Sequence, residues 1–450
     1  MCRFLAQVRQ ELPCIRAYRF QIILDRIYPR YYKTCADEII GTARFELQLK
    51  IRVQLIIITL LRIILNTMHR MVYPFLAVFA RGLGVDVTAV AFALTGRNLV
   101  GILGPVLAPI ADIRGRRFGM LTGVVTFTIG VGLVALDPNI ITFSAALVLA
   151  ILSKCMFDPA VQAYFGDRIV YQERGTALAI GEMSWSLAFI AGVPAMGFLI
   201  ARYGWSAPFP VLSLLGLVMF GVIFWMIPRT DPHHDTAANN SLQNLSSVLA
   251  SFPALAGVSI ALWSSAANEM VNLIFGVWLA DSFGLQIAAL AGASAVIGLA
   301  ELSGEGLVAL ITDRIGKPRA VAIGLVANIL ASLLLPIIGR TEIGALLGLF
   351  LFYISFEYMV VSQLPMMTEV VPGARATVVA LNLMGFGIGR SLGALLSTFL
   401  YQRSGFMLVT FFSAGFNVLA ILSLAEMQHR TALLSRVHSW FKRASHSRLV

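Results

Sequence analysis

From residue 51 to about residue 427 the chain is a succession of apolar stretches, each roughly 20 residues or longer. Wound as a helix rising 1.5 Å per residue, such a stretch crosses the roughly 30 Å of hydrocarbon in a bilayer. Hydrocarbon offers backbone N–H and C=O groups no partner, so a spanning segment is either a helix or a strand of a closed barrel. The runs here are continuous and lack the alternation of a barrel strand, which selects helices. The predicted spans are 53–80, 88–110, 117–136, 140–165, 175–201, 207–228, 252–281, 286–311, 319–338, 342–370, 375–400 and 405–427. The expected fold is an all-α polytopic membrane protein with twelve transmembrane helices.

Composition agrees. Only 13% of residues are charged and 58% are hydrophobic, with mean hydropathy +0.82. Soluble domains carry about 25% charged residues, so this chain lacks the polar surface to coat a water-soluble globule. Its net charge of +11 has no basic stripe with interleaved aromatics, so nucleic acid is not an expected partner. Membrane proteins instead collect Lys and Arg in cytoplasmic loops. With both termini placed inside, 25 of the 34 Lys and Arg residues fall in cytoplasmic segments. Arg81, Arg202, Arg340 and Arg403 fall outside, and Arg62, Arg70, Arg97, Lys154 and Arg390 lie within spans. The expected location is an integral, multi-pass protein of the cell membrane with both termini cytoplasmic.

Residues 1–50 read as a basic cytoplasmic extension lying against the membrane surface, 51–228 as a six-helix bundle, 229–251 as a polar cytoplasmic linker, 252–427 as a second six-helix bundle, and 428–450 as a basic tail. The two bundles hold one register at an offset of 201 residues. Asp112, Gly115 and Arg116 fall on Asp313, Gly316 and Lys317; Gly123 on Gly324; Arg174 on Arg375; Gly192 on Gly393; Arg202 and Gly204 on Arg403 and Gly405. Apolar helices align by chance, whereas charged and glycine positions in loops do so far less readily. Two six-helix repeats joined by a polar linker are the plan expected of rocking transporters, with substrate between the halves near the midplane.

The sharpest local pattern is APIADIRGRRFG, residues 108–119, with ALITDRIGKPRA, residues 309–320, as its counterpart. Each has an acid, then a glycine, then a basic cluster: Asp112, Gly115, Arg116 and Arg117 in one copy, Asp313, Arg314, Gly316 and Lys317 in the other. These loops resemble the motif G-x-x-x-D-R-x-G-R-R of the major facilitator superfamily, with Ala108, Ile113, Ala309, Lys317 and Pro318 departing from it. AGVPAMGFLI, residues 191–200, resembles the glycine–proline motif of the superfamily's proton-driven exporters, reduced here to Gly192, Pro194 and Gly197. Residues 157–186 resemble its fourth-to-fifth helix junction, so the resemblance covers roughly 51–428. It implies that Asp112 latches onto the eleventh span and Asp313 onto the fifth, holding an inside gate shut. The plainer reading of Arg114, Arg116 and Arg117 is a topology signal.

Charges inside spans are the second constellation. A charge at the bilayer centre costs at least ~2.5 kcal/mol, so its side chain faces the bundle interior, water or a partner. The acids away from helix ends are Asp158, Glu182, Glu269, Glu301, Glu305 and Glu357. Lys154 and Asp158 stand four apart on one helix face and are expected to pair. The resemblance implies that spans one, four, seven and ten line the cavity. Arg70, Glu269 and Glu357 are therefore expected to face it, with Glu182 as partner of Arg70 or as proton carrier. Arg390 and Asn382 lie in span eleven, and Pro74 is expected to kink span one.

Other signals are weak. No P-loop occurs. GRSLG, residues 389–393, matches a hydrolase elbow that requires a strand–turn–helix, and here it sits inside a span. Cys2, Cys14, Cys35 and Cys155 have no CxxC spacing, and the His233–His234 pair stands alone, so neither metal nor cofactor is expected. The reading is a secondary transporter, not an enzyme, moving a small molecule by alternating access, with protons as coupling ion and efflux as direction. Uptake symport or facilitation is the near alternative. A non-transporting receptor or scaffold on the same fold is the alternative of another class.

Overall fold

A run of apolar residues in hydrocarbon becomes a helix because a helix closes its own backbone hydrogen bonds. The computed structural model describes residues 51–104, 114–169, 177, 179–228, 241–371 and 374–446, and no β-strand occurs among them. The helices are α1 (Ile51–Arg70), α2 (Leu76–Leu83), α3 (Val87–Gly101), α4 (Arg116–Leu136), α5 (Ile140–Arg168), α6 (Ala179–Tyr203) and α7 (Pro208–Met226). After the polar stretch come α8 (Ser241–Ala250), α9 (Phe252–Phe283), α10 (Ile287–Ile315), α11 (Lys317–Ile338), α12 (Glu342–Val370) and α13 (Arg375–His446). We call α1–α7 the N-terminal set and α9–α13 the C-terminal set.

Ten of these helices are long and apolar enough to cross a membrane, and eleven if α2 and α3, which meet at 112°, count as one span. The expected twelve is reached only when α13 is divided at Gly405, where φ 72° and ψ −167° interrupt helical geometry. The expected first span, 53–80, is α1 plus α2. It breaks over residues 71–75 because Pro74 has no N–H to continue the ladder. Of the other expected segments, 1–50, 105–113 and 229–240 lie outside the described residues, as do Asp112 and Arg174. α8 occupies part of the expected linker, and α13 continues helical through most of the expected tail.

The repeat is written in the backbone. The glycines with positive φ among the described residues form three pairs: Gly84 and Gly284 (68° and 64°), Gly115 and Gly316 (92° and 88°), and Gly204 and Gly405 (93° and 72°). A residue with a Cβ is strained in this region, so a glycine recurs wherever the same turn recurs. Repetition is therefore written in the turns of the described backbone as well as in the sequence.

The sets differ in how they meet lipid. The most apolar stretch of α9 is 89% buried, whereas that of α7 is 28% buried. α7 accordingly exposes Leu214, Leu217 and Trp225. α9 packs along α13, α3 meets α13, and α6 meets α10, so the last two contacts join the N-terminal to the C-terminal set. At the α6–α10 crossing, a Cβ on Gly298 would lie 2.7 Å from the Ser186 carbonyl oxygen. Such close backbone approach is how small residues pack helices in lipid.

Candidate functional site

Polar side chains converge on the interior from α1, α3, α5, α6, α9, α10, α12 and α13, in three groups. The first lies wholly within the N-terminal set. Arg62 on α1 sits 3.2 Å from Asp158 on α5 and 3.1 Å from Glu182 on α6. Lys154 pairs with Asp158 at 2.8 Å, as their spacing predicted, and donates to Asn66 Oδ1 at 2.6 Å. Asn66 in turn donates to Ser184 at 3.0 Å. The Lys154 ammonium also stands 4.4 Å from the centre of the Trp185 ring, where the ring's negative face attracts a cation.

The second group crosses between sets. Arg70, at the end of α1, makes a two-pronged contact with Glu301 on α10: Nη1 donates to Oε2 at 2.7 Å and Nη2 to Oε1. The same guanidinium lies 3.6 Å above the Phe189 ring. One helical turn along α10, Glu305 accepts a hydrogen bond from Ser186 on α6 at 3.1 Å. Glu357 on α12 packs against Gly304, whose added Cβ would lie 2.9 Å from the Glu357 Cβ. Glu301 and Glu305 are its electrostatic neighbours.

The third group also crosses. Arg97 on α3 is fully buried and donates to the His69 carbonyl at 3.0 Å and to Tyr73 Oη at 2.6 Å. The Tyr73 hydroxyl in turn donates a hydrogen bond to Glu269 Oε1 on α9, at 3.0 Å. Asn98 and Asn272 donate to the same carboxylate at 3.5 and 3.4 Å, and Tyr353 on α12 donates to Asn272 at 2.8 Å. A buried cation and a buried anion from opposite sets are thus joined through one phenol. Charge-assisted bonds of this kind strengthen one another in low dielectric.

The geometry corrects one pairing. Glu182 is not the partner of Arg70; it pairs with Arg62, and its side chain is 44% exposed. The register explains this. Arg62 and Arg70 are eight residues, about two turns, apart on α1, and Glu182 opens α6 at the level of Arg62. Glu269 and Glu301 are buried, while Glu357 on α12 and Arg390 on α13 are half-buried.

At the loop after α3, Arg116 donates to Asp167 at the end of α5 (3.3 Å), and Arg117 donates to the Phe224 carbonyl of α7 (2.6 Å). Lys317 repeats the first contact with Glu369 at the end of α12. Asp313 and Arg314 are exposed. The expected latch of Asp313 near Arg174, and all of Asp112, lie outside the described residues.

Gly192, Pro194 and Gly197 have a visible local consequence. Pro194 cannot donate to the preceding turn, and α6 widens just before it into a π-turn, Ala188–Gly192, closed by Val193 N–H on the Ala188 carbonyl. A Cβ on Gly197 would lie 2.8 Å from Phe75 and 2.9 Å from Ala291 of α10, so this motif sits where the two sets touch.

Sequence reasoning named Arg70, Lys154, Asp158, Glu269, Glu301 and Glu357. It passed over Arg62 and Arg97 as site residues, although a charge inside an apolar span was signal enough. Tyr73, Tyr353 and Asn66 carried no such signal, because tyrosine and asparagine in a span read equally as packing.

Comparison with known proteins follows the same lines. The sequence model of the Major Facilitator Superfamily matches residues 55–368 and 264–436. The uncharacterized MFS-type transporters YceJ and YwfA of Bacillus subtilis are each 24% identical, over 328 and 357 residues. These alignments cover 72% and 78% of this chain and 82% and 85% of theirs. Among solved structures, a peptide transporter POT in complex with sulfate superposes with TM-score 0.68 at 14% identity, covering 82% of this chain and 93% of that one. A bacterial homolog of the human lysosomal transporter Spinster, inward-facing and unoccupied, gives TM-score 0.61 at 15% identity, with 84% and 95% covered.

Proposed function

This chain belongs to the major facilitator superfamily, and from that premise we propose that it moves a small solute across the membrane by alternating access, with protons as the coupling ion and efflux as the direction. The observation that carries the reading is the pair of polar bridges between sets, Arg70–Glu301 and Arg97–Tyr73–Glu269. Rocking one helix set against the other must break and remake contacts between them. Polar bridges suit this because each partner exchanges a protein bond for a water bond when the cleft opens, so the net change per bond stays near 1–3 kcal/mol. Protonation of Glu301 would release Arg70, which links proton binding to the position of α10 against α1.

In this reading both termini face the cytoplasm of a cell membrane, and Asp112 and Asp313 latch the inner gate. The pattern Gly192, Pro194 and Gly197 supports efflux through its resemblance to exporters. Its place at the α6–α10 crossing supports a part in rocking. Glu182, held by Arg62 on the half-exposed rim, serves that rim and not the bridge.

The test is the internal pH of sealed proteoliposomes containing the full chain, challenged with drugs, sugars, amino acids and organic acids. A solute-dependent proton flux that Glu301→Gln abolishes is the expected result. Solute movement without protons would replace coupling with facilitation. Well-folded protein that moves nothing in the panel would turn the reading to a receptor or scaffold.

A further inference from the structure

A basic side chain at the edge of a bilayer ordinarily fixes topology or pairs with an acid. At the end of the N-terminal set where α4 begins and α7 ends, Arg116 pairs with Asp167. Arg114 and Arg117 meet no acid among the described residues. They meet rings instead. The Arg117 guanidinium lies 4.4 Å from the centre of the Phe224 ring, and that of Arg114 lies 5.3 Å from the centre of Phe118. Arg117 spends one N–H on the Phe224 carbonyl, at 2.6 Å; a guanidinium has five to give. Arg114 precedes Arg117 by three residues, so their backbones lie within roughly 11 Å and two long cationic side chains share one patch.

Along α7 from this basic rim the surface is apolar. Leu214, Leu217, Val218, Phe224 and Trp225 are all exposed, Trp225 to 90%. These positions recur every three or four residues and form one stripe along the helix. Gly221 lies within the stripe, and nothing stands within 4 Å of where its Cβ would be. The stripe therefore dips there, between Val218 and the Phe224–Trp225 pair. Phe220 stacks on Phe224 with ring centres 6.1 Å apart and forms one flank.

The repeat shows that the fold itself does not require this patch. At the 201-residue offset, Arg114 and Arg117 fall on Ile315 and Pro318, Phe220 on Ile421, Phe224 on Ala425 and Trp225 on Glu426. Glu426 pairs with Arg430 at 2.9 Å, and Lys317 pairs with Glu369. The turn at Gly316 is the same as that at Gly115, yet at these positions no acid-free arginine meets a ring. A topology signal needs charge alone, and an interfacial anchor needs rings alone. The first repeat holds the two together.

We propose that this patch docks an anionic phospholipid, with its phosphate on Arg114 and Arg117 and an acyl chain along the α7 stripe past Gly221. Two positive charges without acids call for an anion. The apolar stripe that continues from them calls for a hydrocarbon chain joined to that anion. Trp225 stands at the junction, the headgroup level where tryptophan is enriched. A second copy packed on this face about a two-fold axis would set the arginines of one copy against those of the other, which their charge opposes. In the proposed orientation the patch lies in the cytoplasmic leaflet, the one that carries anionic lipid. Docking of this kind does not depend on which solute the chain moves, or on whether it moves one.

The experiment places the full chain in phosphatidylcholine vesicles and reads the quenching of Trp225 by phosphatidylglycerol or phosphatidylcholine brominated on the acyl chains. Brominated lipid is present in both leaflets, so the orientation of the chain does not enter. The Trp225 signal is the difference between the full chain and Trp225→Phe. Phosphatidylglycerol should replace phosphatidylcholine beside Trp225 with a preference of about fivefold per arginine, so roughly 25-fold for the pair. The double variant Arg114→Gln, Arg117→Gln should bring that preference to within about twofold of none. The double variant Arg114→Lys, Arg117→Lys keeps the charge and should retain part of it, which separates lost attraction from a disturbed fold. Equal quenching by the two lipids in the unaltered chain overturns the proposal, as does a preference that survives the double glutamine variant. Trp225 shielded from both lipids, in a chain that cross-links as a dimer, would assign the face to a second copy and overturn it as well.

Discussion

The network around Asp158 and the bridge between Arg70 and Glu301 are built from the same residue types, yet they do different work. Asp158 gathers Arg62 and Lys154, and all three sit on α1 and α5, within one set. Arg70 and Glu301 sit on α1 and α10, in opposite sets. A network within a set moves as a rigid part of it and is tested by whether the set folds. A bridge between sets is tested by whether the sets can change partners. Arg62 and Arg70 stand only about two turns apart on one helix, so the difference comes from what each faces and not from the residue or the helix.

The largest expected effect is at the bridge. Arg70→Gln leaves the Glu301 carboxylate buried without its cation, a loss of about 3–5 kcal/mol in the state that holds the bridge. Solute flux should fall more than a hundredfold, while the double variant Arg70→Gln, Glu301→Gln recovers thermal stability in detergent without recovering proton coupling. If the single variant lost stability alone and kept its flux, the two networks would not differ in the way argued. Next is Asp158→Asn, which leaves Arg62 and Lys154 side by side. Its side chain is 19% exposed, so water screens part of the cost and the loss should be about 2 kcal/mol, below the fully buried range. It should appear as a lower unfolding temperature with the flux per folded molecule kept. A collapse of flux at unchanged stability would move this network to the transport side of the comparison.

Tyr73→Phe removes one hydroxyl from the Arg97–Glu269 relay and should cost about 1–3 kcal/mol. Because the relay spans both sets, the change should alter the dependence of flux on pH more than it alters unfolding. An unchanged pH profile would return Tyr73 to a packing role. The smallest effect belongs to the rim. Arg116→Ala breaks a contact with Asp167, whose side chain is 42% exposed, and should change stability by no more than about 1 kcal/mol. Lys317→Ala, its counterpart in the other repeat, should match it. A difference between the two larger than that would mean the repeated loops have separate duties.

Much of the fold was legible in the residues. Long apolar runs announced the helices, Pro74 announced the break in the first span, and the 201-residue register announced glycines that recur with positive φ at Gly115 and Gly316 and at Gly204 and Gly405. The pairing of Lys154 with Asp158 was legible because four residues is one turn. The pairing of Glu182 was not. Glu182 and Arg70 were the natural couple by charge and depth, but depth along a span read from sequence carries an error of several residues, and two turns decide which arginine is met. Tyr73 and Asn66 were invisible because their types are as common in packing as in networks.

By itself the sequence determined that this chain lives in a bilayer as repeated helices. Hydrophobicity and helix geometry are local, summed over neighbouring residues, and need no knowledge of what lies across the bundle. It also determined which charges must find the bundle interior, water or a partner, since a charge inside an apolar span cannot face hydrocarbon cheaply. Only the tertiary structure decided which of those charges meet within one set, which meet across the two, and which, like Arg390 and Glu357, form no ion pair among the described residues. Pairing depends on the rotation and register of helices far apart in the chain, and those are set by packing contacts such as Gly298 of α10 against α6 and Gly197 of α6 against α10.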